Sequence, residues 1–255
     1  MLLTEVDLSI RHGRAIASPI RVGSVADLGL SPAGLVAELA PHFEQLPPDD
    51  YHPTRHRSIA RFELHPKQLE GLNSASPLSW RVDRVREAAP FTQAVADARA
   101  APRTFAEAPD AALAGPYLRH FLGRVADLVR DLHPELIQVD MTLHFMRGVA
   151  RAEAPADNAP EGIHEDGAAY IVSALVIARH NVTGAETRIY EQHPDGRREL
   201  LHAQVLQPGE FVFQADTGEE DTFGNDLWHD VTPAVAVDPG RVGYRDIIGV
   251  DVDWR

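Results

Sequence analysis

Hydrophobic positions change their period about halfway along the chain. From Ser31-Pro32, where serine can cap and proline suits a first helical turn, Leu35, Val36, Leu39 and Phe43 recur at helical spacing until Pro47-Pro48. A second helix is predicted from Pro116, because Leu118, Phe121, Leu122, Val125, Leu128, Val129 and Leu132 repeat every three or four residues. Such a stripe needs a broad apolar surface to pack against. After residue 136 the pattern turns to short alternating or apolar runs rich in β-branched residues, covering 136–147, 170–178, 187–192, 199–205, 210–214, 230–237 and 245–254. Strands at this spacing, divided by Gly, Pro, Asn and Asp, predict a sandwich or barrel with helices mostly on one side. Pro194-Asp195-Gly196 suits a tight hairpin, and the Ala/Pro-rich stretch 149–160 predicts a long loop. The expectation is one unit, with 1–133 a helical or mixed α/β elaboration and 134–255 most of a mainly β core.

Composition narrows the chemistry. The chain of 255 residues carries a formal net charge of −14, which disfavours nucleic acid as a partner. It has no cysteine, so disulfides and thiolate metal sites are excluded and the 13 histidines and the carboxylates remain as metal ligands. Residues 1–14 place Glu5 and Asp7 inside an apolar stretch, unlike a signal peptide, and no later run approaches membrane-spanning length. A cytoplasmic protein with a small-molecule substrate is the expectation.

In Gly162-Ile163-His164-Glu165-Asp166-Gly167, His164 and Asp166 are two apart, so on extended backbone both leave the same face and can grip one ion. His133-Pro134-Glu135 and His193-Pro194-Asp195 fit the same pattern, but one closes a helix and the other lies in the hairpin. The third ligand is read as His229, in Trp228-His229-Asp230-Val231-Thr232-Pro233, near the start of a later strand. Two histidines and a carboxylate on one face of iron leave three positions open, enough for a bidentate oxoacid and O2. Arg245 opens the run that follows, and its planar fork suits a carboxylate; Arg241 competes with it from a Pro/Gly turn. Trp228, adjacent to His229, should face the opposite way and pack.

The run Pro160-Glu161-Gly162-Ile163-His164-Glu165-Asp166-Gly167, with Ala178-Arg179-His180-Asn181-Val182-Thr183-Gly184-Ala185-Glu186-Thr187 and Ile189-Tyr190, resembles 2-oxoglutarate-dependent dioxygenases that hydroxylate free amino acids, typified by bacterial isoleucine 4-hydroxylase. Upstream, Leu46-Pro47, Asp50-Tyr51, Arg55, Arg57 and Arg61-Phe62 are similar to that family's basic N-terminal segment, and Leu143-His144-Phe145-Met146-Arg147 to the strand before its iron loop. Downstream, His229-Asp230-Val231-Thr232-Pro233 and Tyr244-Arg245-Asp246 are similar to its distal histidine and its co-substrate arginine. Glu165 and Ala185 depart from the family's pattern without removing a ligand.

The resemblance implies a distorted double-stranded β-helix, or jelly roll, of cupin-like kind. It implies iron(II) on His164, Asp166 and His229, with Arg245 holding 2-oxoglutarate, O2 as oxidant and ascorbate as a helpful additive. Asp166 in the carboxylate position leaves no place for chloride, which favours hydroxylation over halogenation. A free amino acid needs a cation for its carboxylate and an acceptor for its ammonium, and the nearest candidates are Arg147, Arg57 and Glu161. His144 is either a pocket residue or a satisfied barrel histidine. An aliphatic amino acid and a cyclic imino acid such as pipecolate or proline both remain open as substrate. Two rivals share the fold: a cupin-type metal enzyme that does not use 2-oxoglutarate, and a jelly-roll binding protein without catalysis.

Overall fold

A computed structural model describes residues 4–5, 20–67, 80–86, 90–93, 95, 98–216 and 227–255. Apart from Thr4 and Glu5, the segment 1–14, expected to be unlike a leader, lies outside them. Among the described residues no helix is long and apolar enough to cross a membrane.

One eight-stranded antiparallel sheet dominates. Its strands run in the order β1 (Thr4–Glu5), β2 (Ile20–Ser24), β10 (Glu210–Ala215), β6 (Tyr170–His180), β13 (Gly243–Trp254), β5 (Val139–Ala150), β3 (Arg55–Pro66) and β4 (Trp80–Val85). Opposite lies a three-stranded sheet, β11 (Leu227–Val231), β8 (Thr187–Gln192) and β9 (Arg198–Gln204), and a small pair joins β12 (Ala234–Ala236) to β7 (Val182–Gly184). This is the mainly β architecture with flanking helices that the hydrophobic pattern predicted, and the jelly roll that the resemblance implied.

The two faces of the large sheet meet different surroundings, as the two-residue period of its strands dictates. On β5, Met141, Leu143 and Phe145 point to the helices, while His144, Met146 and Gly148 point into a cavity. The helix-side face packs against α1 (Pro32–Phe43) and, after the short α2 (Asp110–Leu113), against α3 (Pro116–Leu132), with Phe43 against Phe145 at 5.9 Å and Phe121 against Phe211 at 6.2 Å between ring centroids. Every residue of the predicted α3 stripe except the half-buried Leu132 is buried. On α1, Leu35, Leu39 and Phe43 are buried and Val36 is intermediate. Ser31 caps α1 by accepting from Gly34 N–H at 3.1 Å. The first turn of α3 has no cap of its own, since Gly115 precedes it. Glu38 of α1 supplies one, accepting from Leu118 and Tyr117 N–H at 2.8 and 3.1 Å.

Several boundaries differ from the pattern. The hairpin at 193–197 forms as read, with Gly196 at φ +82°. The run 230–237 is two strands, β11 and β12, separated by Thr232-Pro233, and His229, expected near the start of a strand, is the middle residue of β11. Strand β5 continues to Ala150, into the expected loop. The first half also contains β3, a 12-residue strand of the main sheet that the helical periodicity of its neighbours does not announce.

Candidate metal centre and active-site cavity

His164 and His229 form a rung of antiparallel backbone: His164 N–H donates to the His229 carbonyl at 2.8 Å, and His229 N–H returns the bond at 2.9 Å. Residues directly opposite in such a rung project to the same face, so the imidazoles meet with centroids 4.3 Å apart. Asp166 completes the group, with Oδ1 3.6 Å from His164 Nε2 and Oδ2 3.4 Å from His229 Nε2. One ligand atom from each residue lies within 4.8 Å of the other two. His164 Nδ1 lies 2.7 Å from the Gly162 carbonyl, an acceptor, which places the proton on Nδ1 and frees Nε2 for an ion.

Electrostatics at this point favour positive charge. Burial opposes protonation of His164, but Asp166, Glu161 and the Gly162 carbonyl outweigh it and raise the pKa to about 9. Burial likewise pushes Asp166 up, and the two histidines more than reverse this, holding its carboxyl well below the usual range. A donor set of two imidazole nitrogens and one carboxylate, on one side of a point that attracts cations, fits a non-haem iron ion.

The loop carrying Asp166 is held by a residue that no sequence motif marks. Asp216, fully buried just after β10, uses Oδ2 to accept from the N–H groups of Asp166, Gly167 and Ala168 at 2.8, 2.6 and 3.3 Å. Its Oδ1 faces His229 Nδ1 at 3.8 Å. Burial and the neighbouring Asp166 charge raise the Asp216 pKa to about 7. Gln93, also unforeseen, donates to Asp166 Oδ1 at 3.0 Å and is itself held by Arg103.

The triad opens on a cavity of about 430 Å³ between the two sheets. Arg245 lines it, is 2% exposed, and among the described residues finds no hydrogen-bond partner for Nε and Nη2. Burial and the nearby Arg179 lower its pKa to about 9. A guanidinium left unpaired in an enclosed space is costly, and a carboxylate ligand relieves that cost with two parallel bonds. A second buried guanidinium, Arg57 of β3, lines the same cavity. It stacks over Phe105 at 4.1 Å, donates to His144 Nδ1 at 2.7 Å, and keeps an unpartnered Nε. Its pKa falls to about 10 through burial and the charge of Arg55. His144 is both a cavity residue and a satisfied one, since Nε2 meets Asp251 Oδ2 at 3.0 Å.

The remaining candidates are placed as follows. Arg241 is exposed on a turn and Trp228 packs under Arg198, whose guanidinium carbon is 3.9 Å from the ring centroid. His133 stacks on Trp254, and His193 and Asp195 belong to the hairpin, so neither competing triplet approaches the triad. Glu161 lines the cavity but is engaged, with Oε1 3.5 Å from Arg99 and 3.3 Å from His164 Nε2. Arg147 is a correction. The strand alternation that turns His144 and Met146 inward turns Arg147 outward, where it binds Asp246 at 2.6 and 2.8 Å and Glu44 at 2.9 Å. Arg147→Met strands the buried Asp246 carboxylate and should lower stability by roughly 2–3 kcal/mol, with little change in substrate KM. A denaturant melt and steady-state kinetics check both, and a large KM effect would restore Arg147 to the site.

A jelly roll bearing two histidines and one carboxylate beside an enclosed cavity defines a non-haem iron oxygenase architecture. The family model for 2OG-Fe dioxygenases matches residues 40–251, and the chain belongs to this family. It is therefore an iron(II)- and 2-oxoglutarate-dependent dioxygenase, which sets aside both rivals. Solved structures share the fold. A bsmA homologue from Methylobium petroleophilum aligns with TM-score 0.70 and 22% identity over 92% of this chain and 88% of that one. IDO from Bacillus thuringiensis aligns with TM-score 0.62 and 17% identity over 92% and 93%. The Fe(II)/α-ketoglutarate-dependent dioxygenase TqaL aligns with TM-score 0.60 and 17% identity over 92% and 82%. A search of curated protein sequences gave no significant match.

Proposed function

We propose that the protein hydroxylates an unactivated C–H bond of a free amino acid or cyclic imino acid, while 2-oxoglutarate and O2 are converted to succinate and CO2. In this reading His164, Asp166 and His229 hold iron(II), Arg245 holds the distal carboxylate of 2-oxoglutarate, and Arg57 receives the substrate carboxylate. Bound iron and co-substrate supply the oxidant; the chain's own residues supply position. The observation that carries the reading is a pair of buried guanidinium groups in one cavity with the triad, each with an unpartnered nitrogen. One carboxylate ligand satisfies only one of them, and a substrate that is itself an acid satisfies the other. The cavity of about 430 Å³ suits small ligands.

The test is an aerobic panel of the proteinogenic L-amino acids and L-pipecolate with iron(II), ascorbate and 2-oxoglutarate. The expected result is succinate formation stimulated by at least one of them, with a mass gain of one oxygen in that compound. Succinate release that no amino or imino acid stimulates would remove the substrate assignment.

A further inference from the structure

On the cavity face of the large sheet, β3, β5 and β13 place Ile59, His144 and Gly249 in one row across the strands. Arg57 lies two residues to one side of that row on β3, and Asp251 two residues to the other side on β13. His144 joins them diagonally, accepting from Arg57 Nη2 at 2.7 Å through Nδ1 and donating from Nε2 to Asp251 Oδ2 at 3.0 Å. The bond from a guanidinium, which only donates, fixes the imidazole as neutral with its proton on Nε2. Arg57 and Asp251 are thus a guanidinium and a carboxyl group, both lining the cavity and held apart by one rigid ring, and burial together with the Asp166 charge pushes the Asp251 carboxyl up to about 8.

We infer that Asp251 receives the amino nitrogen of the substrate while Arg57 receives its carboxylate, so that the Arg57–His144–Asp251 chain selects α-amino and α-imino acids over acids lacking a basic nitrogen. The inference rests on the amino-acid reading above and deepens it. The spacing of the two charged groups matches such a ligand. An α-amino acid carries its carboxylate and ammonium on the same carbon, and with hydrogen bonds of about 2.9 Å at each end it bridges groups separated by one imidazole. Asp251 is also the acceptor with capacity to spare. Among the described residues its one hydrogen bond is that from His144, whereas Glu161 is shared between Arg99 and His164 at the triad. Recognition by this half-buried group is discriminating because an analogue with a neutral hydroxyl in place of the ammonium brings no charge to meet it.

Calorimetry on the protein with iron(II) and 2-oxoglutarate under anaerobic conditions tests this. The probes are the amino acid giving the strongest turnover in the panel and the α-hydroxy acid with the same side chain. The native protein should bind the amino acid about 100-fold more tightly than the hydroxy acid, and Asp251→Asn should remove most of that preference while retaining the visible absorption of the iron(II)–2-oxoglutarate complex. Equal binding of the two probes by the native protein overturns the inference without using a variant. So does a folded Asp251→Asn protein that keeps the full preference, and in either case the amino-acid reading still stands if turnover is seen. If no amino or imino acid binds or turns over, both readings fall together.

Discussion

Replacing Arg245 with methionine is expected to abolish useful 2-oxoglutarate binding and, at the same time, to raise the melting temperature of the ligand-free protein. Arg245 is 2% exposed with two nitrogens unpartnered, so it is a desolvated cation with no counterion against it among the described residues. Methionine of similar length fills the space without that penalty, a gain of roughly 1–4 kcal/mol. For the co-substrate the sign reverses. Truncating one side of a buried charge-assisted pair costs about 2–5 kcal/mol, or at least roughly 30-fold in affinity. Iron binding should be retained, because no triad residue hydrogen-bonds to Arg245. Melts with and without 2-oxoglutarate, together with anaerobic titration of the visible absorption, read both effects. A less stable variant that still binds 2-oxoglutarate would show that Arg245 is a structural residue.

Asp216→Ala should damage the iron centre from outside it. Three consecutive N–H groups, of Asp166, Gly167 and Ala168, converge on one oxygen of this buried carboxylate. Alanine leaves all three without their acceptor, and charge-assisted bonds of this kind contribute about 1.5–3 kcal/mol each, less than additively. We expect a loss of about 3 kcal/mol or more in stability and a fall of about 10–100-fold in iron(II) affinity, as the carboxylate ligand loses its orientation. Asp216→Asn keeps one acceptor oxygen and should fall between. Metal titration with a chromophoric chelator and thermal melts check this, and native iron affinity in the alanine variant would mean that the loop is held by other contacts.

The parts of the molecule that were legible in the sequence are those in which one residue carries its own signal. The α3 stripe, the 193–197 hairpin and the strands with one apolar face were readable because burial dictates their period. His164, Asp166 and His229 were singled out because their types and spacing suit a metal, and Arg245 because its fork suits a carboxylate; the structure brings all four to one cavity. Strand β3 was not, because its inner face, Arg55 and Arg57 included, looks into a polar cavity instead of a core, which inverts the usual alternation. Arg147 was misplaced because proximity in sequence says nothing about which face of a strand a residue occupies until the register is known. Asp216 and Gln93 act on the site only through folding, and no local pattern marks them. Asp251 was within reach: it lies at an even offset from Arg245 on the same strand, and the two therefore share a face.

The three ligand candidates are not anchored alike. Both histidines stand on a single backbone rung, tied to each other by reciprocal bonds, whereas the carboxylate hangs from a loop whose shape is borrowed from a distant aspartate. With iron(II) held by these three groups, adjustment to ions of different radius would therefore fall on the acidic arm, the imidazole pair serving as the fixed jaw of the clamp.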